Sequence, residues 1–371
     1  MIAILLASYN GEKYIKEQID SILDQMDRVS EKCVLYIHDD GSKDGTYEIL
    51  SEYARQNPDR VKILEGPPQG GSTKNFMYML GAVEADYYMF SDQDDIWLPE
   101  KIEREYEEIR ELEGRLHSDC SGQNCANSAP AHSIPEDMKE VGSEGGTGID
   151  SGKDYPALVF SEMKVVDEDL KVIDESFYSY SNLNPYRTKL NELILENVVS
   201  GCCMMINRRL RDLALRYSDF DKIKWHDWWI TEIAAAVVVM GTAESNPSAP
   251  STSLNSEPET IVYIPEPLML YRQHGYNAVG AIEDVSLNRV KKKLSMILEG
   301  EQSEQTRKFI REAIDQAKQL ISLKDDISED SYNILKALMN FDGQGKLQRI
   351  QSFRQLKITR DKRNLWMMLH L

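Results

Sequence analysis

Three aspartates crowd together in the stretch YYMFSDQDDIWLP. Asp92, Asp94 and Asp95 directly follow apolar and aromatic residues that are typical of a buried strand. Because like charges so close repel one another, we expect a positive partner beside them. Carboxylates at the end of a strand can share a hard divalent cation such as Mg²⁺ or Mn²⁺, whose remaining positions substrate phosphates usually fill. The structural alternative is that Asp94 or Asp95 caps the helix that follows.

A second acidic cluster, HDDGS at residues 38–42, ends another predicted strand. A carboxylate there can accept a hydrogen bond from the ring N–H of uracil or thymine. Asp44 and Gly45, just beyond, have the composition of an ordinary turn and helix cap. The two clusters together favour a site for a nucleotide and a metal.

Strands and helices alternate across the first hundred residues, which predicts an α/β fold with a parallel sheet. The predicted strands are residues 2–7, 33–38, 61–64 and 87–90. The predicted helices are residues 12–26, 44–56, 73–83 and 99–112. In such a sheet the loops after the strands share one edge, where ligands bind. We therefore expect the loops SYNGE, HDDGSKDG and FSDQDD to converge.

The rest of the chain is predicted to contain strands at 155–166 and 199–206 and a helix at 226–240. Two segments rich in Ser, Gly, Asn and Pro, 114–153 and 242–260, are predicted to be disordered insertions, since their composition cannot repay the entropy of folding. From about residue 284 the pattern becomes helical. We therefore predict a catalytic domain at 1–283 and a helical C-terminal region at 284–371.

Composition limits the classes of function. A net charge of -19 argues against a general nucleic-acid binder, because phosphate backbones favour Lys and Arg. No basic leader precedes the first apolar run, and the later run IAAAVVVM is too short to span a membrane.

Five cysteines without a secretory leader indicate a reducing compartment. The set of His117, Cys120, Cys125 and His132 fits no standard zinc finger and is predicted to be solvated loop. We expect a cytoplasmic protein, soluble or peripheral at the inner face of the membrane.

The C-terminal segment 346–371 is basic, with seven Lys or Arg against one acid, Asp361, and it ends in NLWMMLHL. A helix of this kind can lie on an anionic membrane surface. Alternatively, it packs back on the domain or on a second subunit of a homo-oligomer.

Six motifs occur in one order along residues 1–282: SYNGE, DDGSKDGT, GSTKNF, FSDQDDIWLPEK, HDWW and YRQHG. This set resembles family 2 glycosyltransferases, and more narrowly the bacterial rhamnosyltransferase-like branch that builds cell-wall and surface polysaccharides. The resemblance implies a GT-A fold, a Rossmann-like and mostly parallel central sheet flanked by helices, with a helical C-terminal extension. It also implies Mg²⁺ or Mn²⁺ and inverting transfer from a nucleotide sugar. The expected donor is dTDP-rhamnose or another dTDP or UDP sugar, and the acceptor a glycan or a lipid-linked molecule.

The resemblance also implies a set of residues that bind the donor. The base pocket is expected to be lined from the first loop, by Ala7, Tyr9 and Asn10 with Glu12 close by. Asp40 is expected to meet the base N3–H, with Asp39 as its support.

The metal and the diphosphate have their own expected ligands. Asp92 and Asp94 would form the metal motif, with Asp94 as the likelier direct ligand and His274 completing the shell. Arg272 or Gln273 is expected to touch the diphosphate, and Lys74 could also meet a phosphate. For Lys74, a place at the start of a helix or on the solvated surface is equally compatible with the sequence.

Asp227, in the stretch KWHDWWI, is the predicted catalytic base. An acceptor hydroxyl must lose its proton, and a carboxylate is already ionised near neutral pH. Surrounding aromatic residues would exclude water and make a partly buried carboxylate more basic. Capping of the following helix is the alternative, and both roles are compatible. Of Trp228 and Trp229, one is expected to stack on a sugar and the other to fill the core.

Two other classes of protein compete with this interpretation. A nucleotidyltransferase acting on a sugar phosphate usually carries a Gly-rich, basic loop after its first strand, and SYNGEKY has a single glycine there. A non-catalytic nucleotide-sugar-binding protein is disfavoured by the intact Asp94 and Asp227, although the two insertions could obstruct its acceptor cleft.

Overall fold

A nine-stranded sheet with helices packed against it forms the centre of the protein. The computed structural model describes residues 1–121, 155–217, 219–237, 259–274 and 301–359. Within these ranges the α/β class and the helical C-terminal region predicted from the sequence are confirmed.

The first half of the sheet is parallel, as predicted. Its strands lie in the order β3-β2-β1-β4 and comprise β1 (Ile2–Ser8), β2 (Cys33–Asp39), β3 (Val61–Ile63) and β4 (Tyr87–Ser91). They are connected by α1 (Ile15–Leu23), α2 (Thr46–Gln56) and α3 (Ser72–Ala82). The run IAILLA is buried on both faces of β1, which is why it is apolar throughout instead of alternating. The register pairs Ser8 with Asp39, so the first two polar loops begin side by side.

The second half makes the sheet mixed. Its strands are β5 (Ile96–Trp97), β6 (Leu158–Val166), β7 (Val172–Asp174), β8 (Met204–Asn207) and β9 (Ile261–Arg272). Strand β8 lies antiparallel between β4 and β6, and β9 runs parallel to β6. Strand β5 pairs with the end of β9, matching Ile96 with Leu270. This pairing carries the C-terminal end of β9 to the FSDQDD loop.

The remaining helices cover the sheet and extend to the C-terminus. They are α4 (Lys101–Ser121), α5 (Phe177–Ser181), α6 (Leu190–Leu193), α7 (Arg208–Leu215), α8 (His226–Ala236), α9 (Glu301–Gln319), α10 (Glu329–Met339) and α11 (Lys346–Gln355). Ile310 and Ile314 of α9 belong to the same apolar core as Ile233 of α8. The helical C-terminal region therefore shares a core with the sheet.

Two predicted boundaries are wrong. Helix α4 continues through Gly114 to Ser121, so these residues are not part of a disordered insertion, and His117 lies on a helix. The physical reason is that Leu116 continues the apolar face of the helix and is 1% exposed. The predicted strand at 199–206 is also too long, because Gly201–Cys203 forms a 3₁₀ turn before β8 begins. Most of both predicted insertions, residues 122–153 and 242–258, lies outside the described residues.

The part of the chain that the structure describes contains no helix long and apolar enough to cross a bilayer. Of the basic C-terminal segment, residues 346–355 form α11. Residues 360–371, which include the final NLWMMLHL, lie outside the described residues.

Candidate active site

A cavity of about 760 Å³ lies where the loops after β1, β2 and β4 meet the second half of the chain. Ala7, Tyr9 and Asp40 line it from the first two loops, and Asp92 and Asp94 from the third. The expected convergence of the three loops is confirmed. From the second half of the chain the lining includes Phe177, Leu183 and residues 197–201 and 225–227, among them Asp227.

Asp94 and His274 are in direct contact. Nε2 of His274 lies 2.7 Å from Oδ2 of Asp94, although 180 residues separate them. The His274 ring stacks on Tyr14, with ring centroids 5.0 Å apart. Two residues before His274, the backbone N–H of Arg272 donates to Oδ1 of Asp95 at 3.0 Å. The structure thus brings together two of the predicted metal ligands.

A further cluster adjoins this pair. Asp92, Asp95 and Cys202 each offer one possible ligand atom, and these atoms lie within 4.8 Å of one another. Burial, and then the nearby charges of Asp94 and Asp227, raise the pKa of Asp92 to about 7. Burial also raises the pKa of Asp95 well above its ordinary value, and its Oδ2 has no hydrogen-bond partner among the described residues.

These observations test whether the residues suit a divalent cation. Carboxylate oxygens with one imidazole form a donor set suited to Mn²⁺ or Mg²⁺. A bound cation would also favour the charged form of the carboxylates, which burial now penalises. The residues therefore fit such an ion. Asp95 was recognised in the sequence as one of three crowded aspartates but was not predicted as a metal ligand, and Cys202 was not predicted as a member of this cluster because nothing local indicates it.

Gln93, which the sequence analysis did not single out, ties the first loop to the third. Its Oε1 accepts from the backbone N–H of Tyr9 at 2.9 Å, and its Nε2 donates to the Tyr9 carbonyl at 3.0 Å. A Cβ on Gly11 would overlap Oε1 of Gln93, so this approach requires glycine. The middle residue of the DQD motif therefore fixes the relative position of two loops.

The two aspartates of the second loop have different surroundings. Asp39 accepts from the Ser8 and Ser42 hydroxyls and from the Ser42 backbone N–H, so its carboxylate braces the loop. Asp40 lines the cavity, where it accepts from the backbone N–H groups of Gly70 and Gly71 at 3.0 and 2.8 Å, and from that of Gln69. A carboxylate has about four lone-pair positions, so one remains for the N–H of a base.

Asn10 and Glu12 do not line the cavity. Oδ1 of Asn10 accepts from the Lys43 backbone at 2.8 Å, and Oε2 of Glu12 accepts from the Gly45 backbone at 3.0 Å. Both side chains therefore brace the second loop, and their contact with a base stays a prediction.

The three side chains predicted near the diphosphate also lie outside the cavity lining. Lys74 pairs with Asp221 at the surface. The Arg272 side chain, which is buried, donates from Nε to the Asp94 carbonyl at 2.9 Å and lies over Tyr14. The Gln273 backbone N–H donates to β6. Their contact with a diphosphate stays a prediction.

The charge of the cavity follows from its lining. Four carboxylates, Asp40, Asp92, Asp94 and Asp227, face it, and no Lys or Arg is among its described lining residues. Like charges repel, so an anionic diphosphate would need a cation to enter with it.

Asp227 lies in the first turn of α8 and faces the cavity. Its Oδ2 accepts from the Gly201 backbone N–H at 3.0 Å, and its Oδ1 accepts from the Trp228 backbone N–H at 2.7 Å. Burial raises the pKa of Asp227 to about 6, against the opposing effect of these hydrogen bonds. The carboxylate is thus ionised at neutral pH and more basic than an exposed aspartate. It holds the helix start and faces the cavity at once.

His226, which was not singled out either, packs behind this turn. Its ring stacks on Phe76 with centroids 4.2 Å apart, and burial lowers the pKa of His226 to about 3, so the ring is neutral. A Cβ on Gly201 would lie 2.6 Å from Nε2 of His226, closer than real contacts allow. The turn therefore requires glycine at this position.

The prediction that Trp228 or Trp229 stacks on a sugar is wrong. Both rings are 0% exposed, and their indole N–H groups donate to the carbonyls of Leu193 and Ala214. Helix α8 is buried around most of its circumference, so both rings fill the core. The tryptophan that lines the cavity is Trp225, just before the helix.

Comparison with known proteins agrees with the motifs. Residues 3–116 match the sequence model of Glycosyl transferase family 2. Over a match of 101 residues, the chain is 41% identical to the dTDP-rhamnosyl transferase RfbG of Shigella flexneri. This match covers 26% of this chain and 34% of RfbG. It is 30% identical over 105 residues to an uncharacterized glycosyltransferase of Nostoc sp., covering 28% of this chain and 31% of that protein. The match thus spans about a third of these relatives.

Among solved structures, a crystal structure of S. aureus TarS is similar over 96% of this chain and 80% of that chain, with 13% identity and a TM-score of 0.47. A likeness of this size supports no conclusion about the site. The family model, at residues 3–116, covers the three loops that meet at the cavity. The resemblance to family 2 glycosyltransferases is therefore confirmed, and residues 3–116 carry the signature of that family.

Proposed function

We propose that this protein is a metal-dependent, inverting glycosyltransferase that moves a sugar from a nucleotide diphosphate donor to an acceptor hydroxyl. The observation that supports this proposal most is that Asp94 and Asp227 line one and the same cavity, although they come from different halves of the sheet's connections. A metal-binding carboxylate and a base on opposite sides of a sugar are what an inverting displacement needs.

In this mechanism Asp227 accepts the proton of the acceptor hydroxyl, whose oxygen bonds to the anomeric carbon as the bond to the diphosphate breaks. The sugar passes through an oxocarbenium-like state, as in glycoside hydrolysis. Asp92, Asp94 and His274 would hold Mg²⁺ or Mn²⁺, which stabilises the charge of the leaving diphosphate. Gly201 keeps the Asp227 carboxylate in place through its backbone N–H.

For the donor we propose a dTDP or UDP sugar, with dTDP-rhamnose first. The free lone-pair position of Asp40 suits the N3–H that thymine and uracil share. The 41% identity to a dTDP-rhamnosyl transferase favours rhamnose, although that match covers 34% of the relative. The proposed acceptor is a glycan or a lipid-linked molecule in cell-surface polysaccharide synthesis.

The test is a thermal-shift panel of dTDP, UDP and GDP sugars with Mg²⁺, with Mn²⁺ or with a chelator. A donor that binds only the folded state raises its melting temperature. We expect a shift with dTDP or UDP sugars that disappears with chelator, followed by release of nucleoside diphosphate on turnover. Binding without release would identify a nucleotide-sugar-binding protein, and release of pyrophosphate from a nucleoside triphosphate would identify a nucleotidyltransferase.

A further inference from the structure

Trp225 differs from its two neighbours in sequence. Trp228 and Trp229 are fully buried, with their indole N–H groups paired to backbone carbonyls. Trp225 is only partly buried and lines the cavity two residues before Asp227. No described residue accepts a hydrogen bond from its indole N–H, so this donor is available to a ligand.

The Trp225 ring is held in place from behind. It stacks on Trp228, with ring centroids 5.6 Å apart and ring planes inclined by 29°. The centroid of the Phe309 ring, on α9, lies 6.1 Å from that of Trp225. The adjoining Lys224 is also tied to α9, because its backbone N–H donates to Oε1 of Gln316 at 2.8 Å. The ammonium of Lys224 also lies over the Trp225 ring, 5.1 Å from its centroid. A ring held by these contacts loses little freedom when a ligand packs against it.

Other residues of the described cavity lining suit a neutral ligand with an apolar face and hydroxyl groups. Phe177, Leu183 and Val199 supply apolar surface, while Asn197 and Ser200 supply polar groups. Both polar residues line the cavity together with Asp227, next to which the reacting hydroxyl would lie. The described lining has no Lys or Arg to pair with an anionic acceptor. Apolar and aromatic walls with a few polar groups are typical of small-molecule sites.

We propose that Trp225 is the platform of the acceptor subsite, where the C–H face of a neutral pyranose stacks on the indole and presents a hydroxyl to Asp227. This inference rests on the proposed function, because it takes Asp227 as the base. It assigns the acceptor-facing wall to residues outside the segment 3–116 that matches the family.

The experiment measures binding of methyl glycosides of rhamnose, glucose, galactose and N-acetylglucosamine to the full chain by saturation-transfer NMR. The protein is kept saturated with dTDP or UDP and Mg²⁺. Trp225→Leu removes the flat ring but keeps apolar volume, so the fold should persist, and Trp225→Phe restores a flat ring. The matched control is Tyr332→Leu, which removes a 38% exposed ring from α10, outside the cavity lining. Nucleotide affinity is measured for every variant.

We expect at least one methyl glycoside to bind the wild type. Trp225→Leu should lower the affinity for this glycoside about tenfold, roughly the contribution of one aromatic stack plus its burial. The glycoside affinities of Trp225→Phe and Tyr332→Leu should stay within about threefold of the wild type. Nucleotide affinity should not change. Equal glycoside affinity in Trp225→Leu, or nucleotide binding without any glycoside binding, overturns the inference. A parallel loss of nucleotide affinity in Trp225→Leu also overturns it, because the ring would then serve the donor. If no nucleotide binds the wild type, the proposed function itself fails.

Discussion

The backbone N–H of Gly201 donates a hydrogen bond of 3.0 Å to Oδ2 of Asp227, and the α-carbon of the same glycine packs against the ring of His226. The residue that orients the proposed base thus also has no room for a side chain. A 3₁₀ turn before β8 brings Gly201 to this place at the start of α8.

Replacing Gly201 with Ala should damage both stability and transfer. The new Cβ would lie 2.6 Å from Nε2 of His226, so the turn or the ring must shift. Overpacking of this kind costs about 1 to 3 kcal/mol in the free energy of unfolding. Urea denaturation measures this cost, and transfer assays measure the loss of kcat.

Gly114→Ala is the matched control, because its Cβ meets no atom within 4 Å and helix propensity should add up to about 1 kcal/mol of stability. Unchanged kcat in Gly201→Ala would show that the close approach is unnecessary.

Replacing Asp227 with Asn should abolish transfer while the donor still binds. An amide cannot accept the proton of the acceptor hydroxyl, so we expect kcat to fall about 100-fold or more. Nucleotide affinity, measured by calorimetry, should stay close to that of the wild type. Asp315→Asn, which alters an exposed carboxylate on α9, serves as the control. Near-normal turnover by Asp227→Asn would dismiss this residue as the base.

The rate of transfer should fall as the pH drops through about 6. Burial raises the pKa of Asp227 to about 6, and only the ionised carboxylate can accept a proton. The active form therefore predominates above this pH and disappears below it. The measurement is kcat/KM, whose pH dependence reports the ionisation of the ligand-free protein, from roughly pH 5 to pH 8. The residual activity of Asp227→Asn should lack this inflection; an identical profile in both proteins would assign it to another group.

Removing the Asp94 carboxylate should weaken metal binding. Asp94→Ala leaves His274 without its 2.7 Å partner and takes away one proposed ligand. Since even indirect neighbours of a metal contribute tenfold or more in affinity, we expect a loss of at least about tenfold for Mn²⁺. The electron paramagnetic resonance signal of free Mn²⁺ measures binding without any turnover. Asp59→Ala, at an exposed carboxylate outside the cavity lining, should bind like the wild type. Equal affinity in Asp94→Ala would remove the metal site from this position.

Helix α9 should stabilise the segment that carries Asp227. Gln316 is 0% exposed; it accepts from the Lys224 backbone N–H and donates to Oε2 of Glu232 at 2.9 Å. Gln316→Met keeps the volume but leaves a buried N–H unpaired, which costs about 1 to 3 kcal/mol. Hydrogen exchange at residues 224–232 should speed up accordingly. Lys308→Met, on the exposed face of the same helix, should change neither quantity. Unaltered exchange in Gln316→Met would mean that α9 does not hold this segment.

Local patterns in the sequence predicted the parallel half of the sheet and the meeting of its loops. The apolar run IAILLA predicted a first strand, with polar residues directly after it, and the structure shows that this strand is buried on both faces. The carboxyl ends of parallel strands share one edge, so Tyr9, Asp40 and Asp94 had to come together there. The C-terminal limit of α4 was missed because composition alone suggested that the chain becomes disordered at Gly114, whereas Leu116 still packs into the core.

Long-range packing decided the other features of the site. Trp225, Trp228 and Trp229 are chemically equal in the sequence, and only the burial of α8 shows that the last two fill the core. The Arg272 guanidinium donates to the carbonyl of Asp94, a contact between residues 178 positions apart that no local pattern indicates. The sequence by itself determined which residue types follow each strand, because strand periodicity is local. The tertiary structure alone decided which of those side chains face the cavity, because that depends on contacts between segments far apart in the chain.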